Sequence, residues 1–168
     1  MKIEVFAVCL GISVSLLSAC STDPIATDSV PILGSGQGIA AVAFHSYVDA
    51  TEVVIRPISG SGKQLYIPSV PIGESIFLFV TPSGRYCMHQ FHVGPAIFTA
   101  RVDDQCFDVR PGIISYGGTF SPNVNFQGLL INLSGGMSSG ENVTDFLNLL
   151  RKNYPKIAAW ALSAPSSK

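Results

Sequence analysis

Three histidines, four cysteines and a thin scatter of charges are the groups in this chain able to do chemistry. His45 stands alone, whereas Cys87, Met88, His89 and His92 fall close together. Sulfur and imidazole donors at that spacing suit Cu(I). A strand alternates its side chains with period two, so Cys87 and His89 would share a face and His92 would oppose them. A copper site there needs a free thiol and a third ligand, so hydrogen-bonded strand histidines are the simpler expectation. No metal or other cofactor is expected. Hydrolytic chemistry has no visible scaffold, because no Gly-x-Ser-x-Gly elbow occurs and nothing proposes a triad. Asp103-Asp104, polar on both sides, reads as a hairpin turn rather than an acid–base pair. Gly34-Ser-Gly-Gln-Gly38 lacks the Gly-Lys-Ser/Thr of a phosphate loop and reads as a turn into a strand. No catalytic residue is assigned, and a non-enzymatic role is expected. Arg85, Arg101 and Arg110 fall near strand ends. Arg85, Tyr86, Arg110 and Tyr116 form a candidate binding surface, since Arg and Tyr are enriched at interfaces. A solvated sheet edge is the alternative.

The first twenty residues say where this chemistry would take place. Lys2 and the terminal amine precede Val5–Leu17, thirteen residues without a charge. That length suits the apolar region of a secretory signal and falls short of the roughly 20 residues needed to span a bilayer. Leu17-Ser18-Ala19-Cys20 resembles the lipobox of bacterial lipoproteins. The resemblance implies cleavage before Cys20, diacylglycerol on its thiol, and two or three acyl chains in all. At about 0.8 kcal/mol per buried CH₂, such an anchor is stable. Ser21 is permissive for the outer membrane in the lipoprotein sorting pattern. The expected location is therefore the cell envelope, lipid-anchored, at the outer membrane facing the periplasm. With Cys9 removed and Cys20 lipidated, Cys87 and Cys106 remain as an even pair in an oxidising compartment. A Cys87–Cys106 disulfide is predicted, closing a loop worth around 3 kcal/mol in the chain-entropy account.

Removing the 19 residues ahead of Cys20 leaves 149 of 168, enough for one domain with a real core. Charged residues make up 12% of the chain and the formal net charge is −1, which argues against nucleic acid as a partner. Residues 20–37, rich in Ser, Thr, Asp and Pro, read as a lipidated cysteine and flexible tether. Short β-rich runs follow at Ile39–Tyr47, Val53–Arg56, Ser75–Val80, Arg85–Val93, Ala96–Val102, Cys106–Val109, Ile113–Phe120 and Val124–Leu133. Their spacing, with Gly/Pro punctuation, indicates a mostly antiparallel sandwich or barrel across residues 38–133. The apolar Ser75–Val80 should be buried on both faces or in a partner. Residues 134–162 read as a Gly/Ser loop and a C-terminal helix, capped by Asn142 and carrying Phe146, Leu149, Leu150, Ile157 and Trp160 at helical spacing. Pro155 should kink or break that helix. The tail, residues 163–168, reads as disordered.

One stretch resembles a family. Val70-Pro-Ile-Gly73, Pro82-Ser-Gly-Arg-Tyr86, Phe107-Asp-Val-Arg-Pro-Gly112 and Tyr116-x-Gly118 follow an order similar to envelope proteins with a transthyretin-like (prealbumin-like) β-sandwich. The resemblance implies a fold and no activity. A tethered sandwich without catalytic residues is expected to bind another envelope protein or support an assembly. A loop-mediated inhibitor or small-ligand binder, using Ser134–Gly140, is the alternative.

Overall fold

The structure is a computed structural model and describes residues 21–58, 62–99, 105–121, 123–127, 130–134, 137–138 and 143–163. The signal region with Cys20, Arg101, Asp103-Asp104, the Asn142 cap, part of the Gly/Ser loop and residues 164–168 lie outside them.

Apolar residues alternate along most of the chain, and the elements they form are strands: β1 (Ser21–Thr22), β2 (Gln37–Ser46), β3 (Ala50–Pro57), β4 (Gln64–Val70), β5 (Gly73–Pro82), β6 (Gly84–Val93), β7 (Ala96–Thr99), β8 (Cys106–Val109), β9 (Ile114–Phe120), β10 (Asn123–Gln127), β11 (Leu130–Ser134) and β12 (Met137–Ser138). Two helices close the chain, α1 (Val143–Asn153) and α2 (Pro155–Ser163). The architecture is mainly β, as expected. One sheet runs β1-β4-β3-β6-β7, with β8 beside β7 on the same edge of β6, and a second runs β12-β9-β2-β5. β10 and β11 form a separate hairpin.

The two sheets face each other across an aromatic core. Val42 and Phe44 of β2, Phe79 of β5 and Phe120 of β9 meet Ile55, Leu65, Met88 and Phe107 from the first sheet. Phe44 sits edge-on to both Phe77 and Phe120, with ring centroids 5.8 and 5.7 Å away, the arrangement ring quadrupoles favour. The opposite face of the second sheet is also covered. Ile39, Ala41, Ile76 and Leu78 pack under Leu150, Tyr154, Ile157 and Ala158 of the helices. β2 is thus buried on both faces from Ile39 to Phe44. The same layering buries Ile76, Leu78 and Phe79 of β5, which explains that strand's apolar run without a partner. Pairing is mostly antiparallel, but β2 runs parallel to β9 and β1 parallel to β4.

Several local expectations change. β4 lies between Arg56 and Ser75, where no strand is expected from the sequence, and it carries Pro68, a residue confined to outer strands and bulges. Pro68 is tolerated because β1 covers only Gln64 and Leu65 of this outer strand. Val124–Leu133 is two strands and not one: β10 and β11 pair antiparallel from Asn123–Ser134 to Gln127–Leu130. The C-terminal helix is broken at Tyr154, where Pro155 cannot donate to the ladder.

Residues 21–37 are docked and not free. Ser21 and Thr22 pair with Gln64 and Leu65 on the first sheet. The Ile25 amide then donates to the Leu78 carbonyl at 2.7 Å on the second sheet, and Ile25 and Leu33 pack against the sheet–helix core. The polar composition suggests a tether. Two aliphatic side chains and an open β5 edge able to accept hydrogen bonds make it a strap across the side of the sandwich.

Register gives the sandwich two ends. Gln37, Pro57, Gln64, Gly84 and Val109 lie at the lower end, and Ser46, Ala50, Val70, Gly73 and Val93 at the upper.

Candidate functional site

The lower end holds the predicted disulfide. Cys87 and Cys106 face each other in the register of β6 and β8, with Cα atoms 4.0 Å apart and sulfurs bonded at 2.02 Å. The Met88 amide donates to the Gln105 carbonyl at 3.0 Å, so the neighbouring pair is the hydrogen-bonded one and the cysteines occupy a closer, non-hydrogen-bonded position. Both thiols are consumed, which removes the soft donor that a copper site at Cys87 and His89 requires. Among the described residues no group of three or more His, Cys, Asp or Glu is placed to hold a metal.

Tyr86 is not a surface residue. Its side chain is fully buried, and its hydroxyl shares a 2.6 Å hydrogen bond with Thr81 Oγ1 and donates to the Pro82 carbonyl at 3.0 Å. A tyrosine that bonds back to the chain just upstream pins a corner, and here it pins the Pro82-Ser83-Gly84 turn between the two sheets. Gly62 completes the pin, since a Cβ there would fall 1.9 Å from the Tyr86 hydroxyl. Arg85 and Arg110 are exposed at this end. Tyr116 lies elsewhere, on the helix side of the second sheet, with its ring 4.3 Å from that of Phe146. The four residues of the candidate surface therefore split three ways: two exposed cations, one buried pin and one groove residue.

The groove is at the upper end. Where α1 stops covering the second sheet, a cavity of about 160 Å³ is lined by Phe44, His45, Glu74, Tyr116, Thr119 and Asp145 among others. A shallower hollow of about 250 Å³ continues over Glu74, Asp145 and Asn148 to Lys152. β2 and β5 bring His45 opposite Glu74 in register, and His45 Nδ1 lies 3.9 Å from Glu74 Oε1. That separation is an ion pair when the imidazole is protonated and is too long for a hydrogen bond. β9 contributes through a bulge. Ala41 pairs with Tyr116 and Ala43 with Thr119, so β9 carries one residue more than β2 between these pairs. Gly118 absorbs the irregularity with φ 97°, a backbone state open to glycine. The extra residue brings Tyr116 and Thr119, three apart, to the same side, and their hydroxyls share a 2.6 Å hydrogen bond. α1 closes the groove with Asp145, Phe146 and Leu149.

Two other polar features sit on the first sheet. His92 Nδ1 is 3.4 Å from Glu52 Oε2, and its Nε2 is buried without a hydrogen-bond partner among the described residues. Glu52 adopts φ 49° at a bulge in β3, a left-handed state that costs a non-glycine residue roughly 1–2 kcal/mol. His89 has its imidazole held below the usual range, first by burial and then by the Arg56 guanidinium. On the helix side, burial pushes the Tyr154 phenol up. It stays neutral and donates to the Ile76 carbonyl at a long 3.5 Å.

Chemically, the groove sets the rings of Tyr116 and Phe146 beside the carboxylates Glu74 and Asp145, while Phe44 borders it from β2 and turns its own ring into the core between the sheets. Its hydroxyls are bonded to one another, and its imidazole stands off from its carboxylate. Of these residues only Tyr116 is assigned to a binding surface from the sequence. His45, Glu74, Thr119 and Asp145 come from four distant segments and carry no shared spacing signal. Comparison with protein-family models finds no match, and neither does comparison with curated proteins or with solved structures.

Proposed function

We propose that this chain is a lipid-anchored domain of the cell envelope that recognises another protein and performs no catalysis of its own. The lipobox-like Leu17-Ser18-Ala19-Cys20 puts the anchor on Cys20, in the outer membrane and facing the periplasm. The observation that carries the reading is the opposition of the two ends. The residue next to Cys20 is fastened at the lower end, while the groove opens at the upper end. A domain held this way offers its groove away from the bilayer, where a partner can reach it.

Volume favours a protein over a free small molecule. Ligand sites typically enclose about 300–1,000 Å³, whereas the enclosed part of this groove holds about 160 Å³ and the rest is an open, shallow hollow of about 250 Å³, a form that suits one inserted side chain with the partner's surface lying over the hollow. Glu74 and Asp145 beside the rings of Tyr116 and Phe146 suit a cationic side chain, its stem on those rings and its charge near the carboxylates.

The test is co-purification from membranes in several mild detergents. A partner recovered in stoichiometric amount should be lost by roughly tenfold or more, equivalent to about 1.4 kcal/mol, from the Glu74→Lys, Asp145→Lys variant, whose disulfide and fold are checked separately. Recovery of no partner in any detergent, or of the same partner with undiminished yield from the variant, would overturn the proposal.

A further inference from the structure

We infer that the lower end of the sandwich is a membrane-docking surface for anionic phospholipid headgroups, an inference that rests on the lipid anchor proposed at Cys20.

Three observations converge there. The first is position. Ser21 is already paired with Gln64 at the lower end, and the Cα of Cys20 can lie only about 3.8 Å from that of Ser21. A lipid on Cys20 therefore has almost no slack, and the surface beside Gln64 must lie close to the leaflet that holds it.

The second is charge. Lys63 precedes Gln64, the Arg85 carbonyl accepts from the Ile58 amide at 2.9 Å, and Arg110 follows the last β8 residue. All three cationic residues are exposed at this end. Arg56 stands one row behind them, opposite Cys87. The carboxylates near them are Asp108, in register with Arg85, and Asp23, which follows the Thr22–Leu65 pair, so the four cations Arg56, Lys63, Arg85 and Arg110 remain in excess. The upper end has the reverse balance, with Asp49, Glu52, Glu74 and Asp145 against Lys152. Cations thus predominate at the lower end and carboxylates around the groove.

The third is the apolar tips. Ile58 and Ile113 are exposed to 49% and 45% and stand in the lower loops among those cations. Apolar side chains with flanking cations are the composition of interfacial membrane contacts. The turn bearing Arg110 and Ile113 is fixed: the Gly112 amide donates to the Gln37 carbonyl at 2.8 Å, the Ile39 amide to the Ile113 carbonyl at 3.0 Å, and the Arg110 amide to Ser115 Oγ at 2.9 Å. Gly38 permits this approach, because a Cβ there would lie 2.1 Å from the Arg110 carbonyl oxygen. Arg110 and Ile113 are therefore presented by a fixed turn.

Each Lys or Arg held near an anionic leaflet favours association by about fivefold, and the surface attraction is lost beyond a Debye length. Lysine footprinting reads the docking directly. The membrane-extracted chain is first weighed intact. Absence of diacylglycerol on Cys20 at this step overturns the anchor itself, before any labelling. The lipidated chain is then acetylated in detergent micelles, in phosphatidylcholine vesicles and in phosphatidylethanolamine–phosphatidylglycerol vesicles. Docking predicts that Lys63 reacts about fivefold or more slowly in the phosphatidylglycerol vesicles than in the other two. Lys152 should keep its rate, and the Arg85→Gln, Arg110→Gln variant should restore that of Lys63. Equal Lys63 rates in all three, equal protection in phosphatidylcholine, or protection of Lys152 instead would each overturn the inference.

Discussion

The two ends of this sandwich are built on opposite principles. The lower end is fastened: a disulfide, a buried tyrosine hydroxyl with two partners, and glycines that let backbone and ring approach within the space of a missing Cβ. The upper end is bulged. Glu52 holds a left-handed backbone, His92 Nε2 is buried without a partner among the described residues, and the β9 bulge brings Tyr116 beside Thr119. Backbone strain of the kind seen at Glu52 persists only where the surroundings over-determine it. The fold concentrates its covalent and hydrogen-bonded fastening beside the proposed anchor and leaves its irregular geometry at the end that meets a partner.

Breaking the lower end should have the largest effect. Cys87→Ser with Cys106→Ser releases a loop closed over a sequence separation of 19, and denaturant unfolding should show a loss of about 3 kcal/mol. A loss below about 1 kcal/mol would mean that the strand pairing alone holds this end. Tyr86→Phe removes one hydroxyl and keeps the ring against Phe107. Thr81 Oγ1 is then left buried without this partner, and the expected cost is about 2 kcal/mol, read as a lower denaturant midpoint at unchanged slope. The upper end should respond with the opposite sign. Glu52→Gly relieves a left-handed backbone costing roughly 1–2 kcal/mol and gives up a pair between a half-exposed carboxylate and a mostly buried imidazole, for which about 1 kcal/mol is the expected upper bound. A gain of up to about 1 kcal/mol is expected. A clear loss would show that the Glu52–His92 contact outweighs the strain, and would erase the contrast between the ends.

Pattern and composition determined a good deal. Turn punctuation located β8 at Cys106–Val109 to the residue, because Pro111-Gly112 stops it and Cys106 begins it. The pairing of Cys87 with Cys106 followed from counting cysteines under an assumed export, and the break at Tyr154 from a proline without an amide proton. Other assignments failed for reasons that lie beyond a local window. Tyr86 beside Arg85 looks like a surface pair, yet alternation sends the two to opposite faces and the sandwich buries one of them. Residues 20–37 read as a tether because their composition is polar, while the β4 and β5 edges that capture Ser21 and Ile25 are formed by Gln64 and Leu78, 43 and 53 positions later. Parallel pairing of β2 with β9 joins segments about 75 residues apart, a separation that no periodicity encodes. The groove depends on that pairing: only the tertiary structure sets His45 against Glu74, turns Thr119 toward Tyr116 through a glycine bulge, and lays Asp145 and Phe146 of α1 over both. Side-chain chemistry and turns are local properties and were legible in the sequence. The opposition of a cationic, fastened end to an acidic, grooved one is a property of register, and register is decided when the sheets pack.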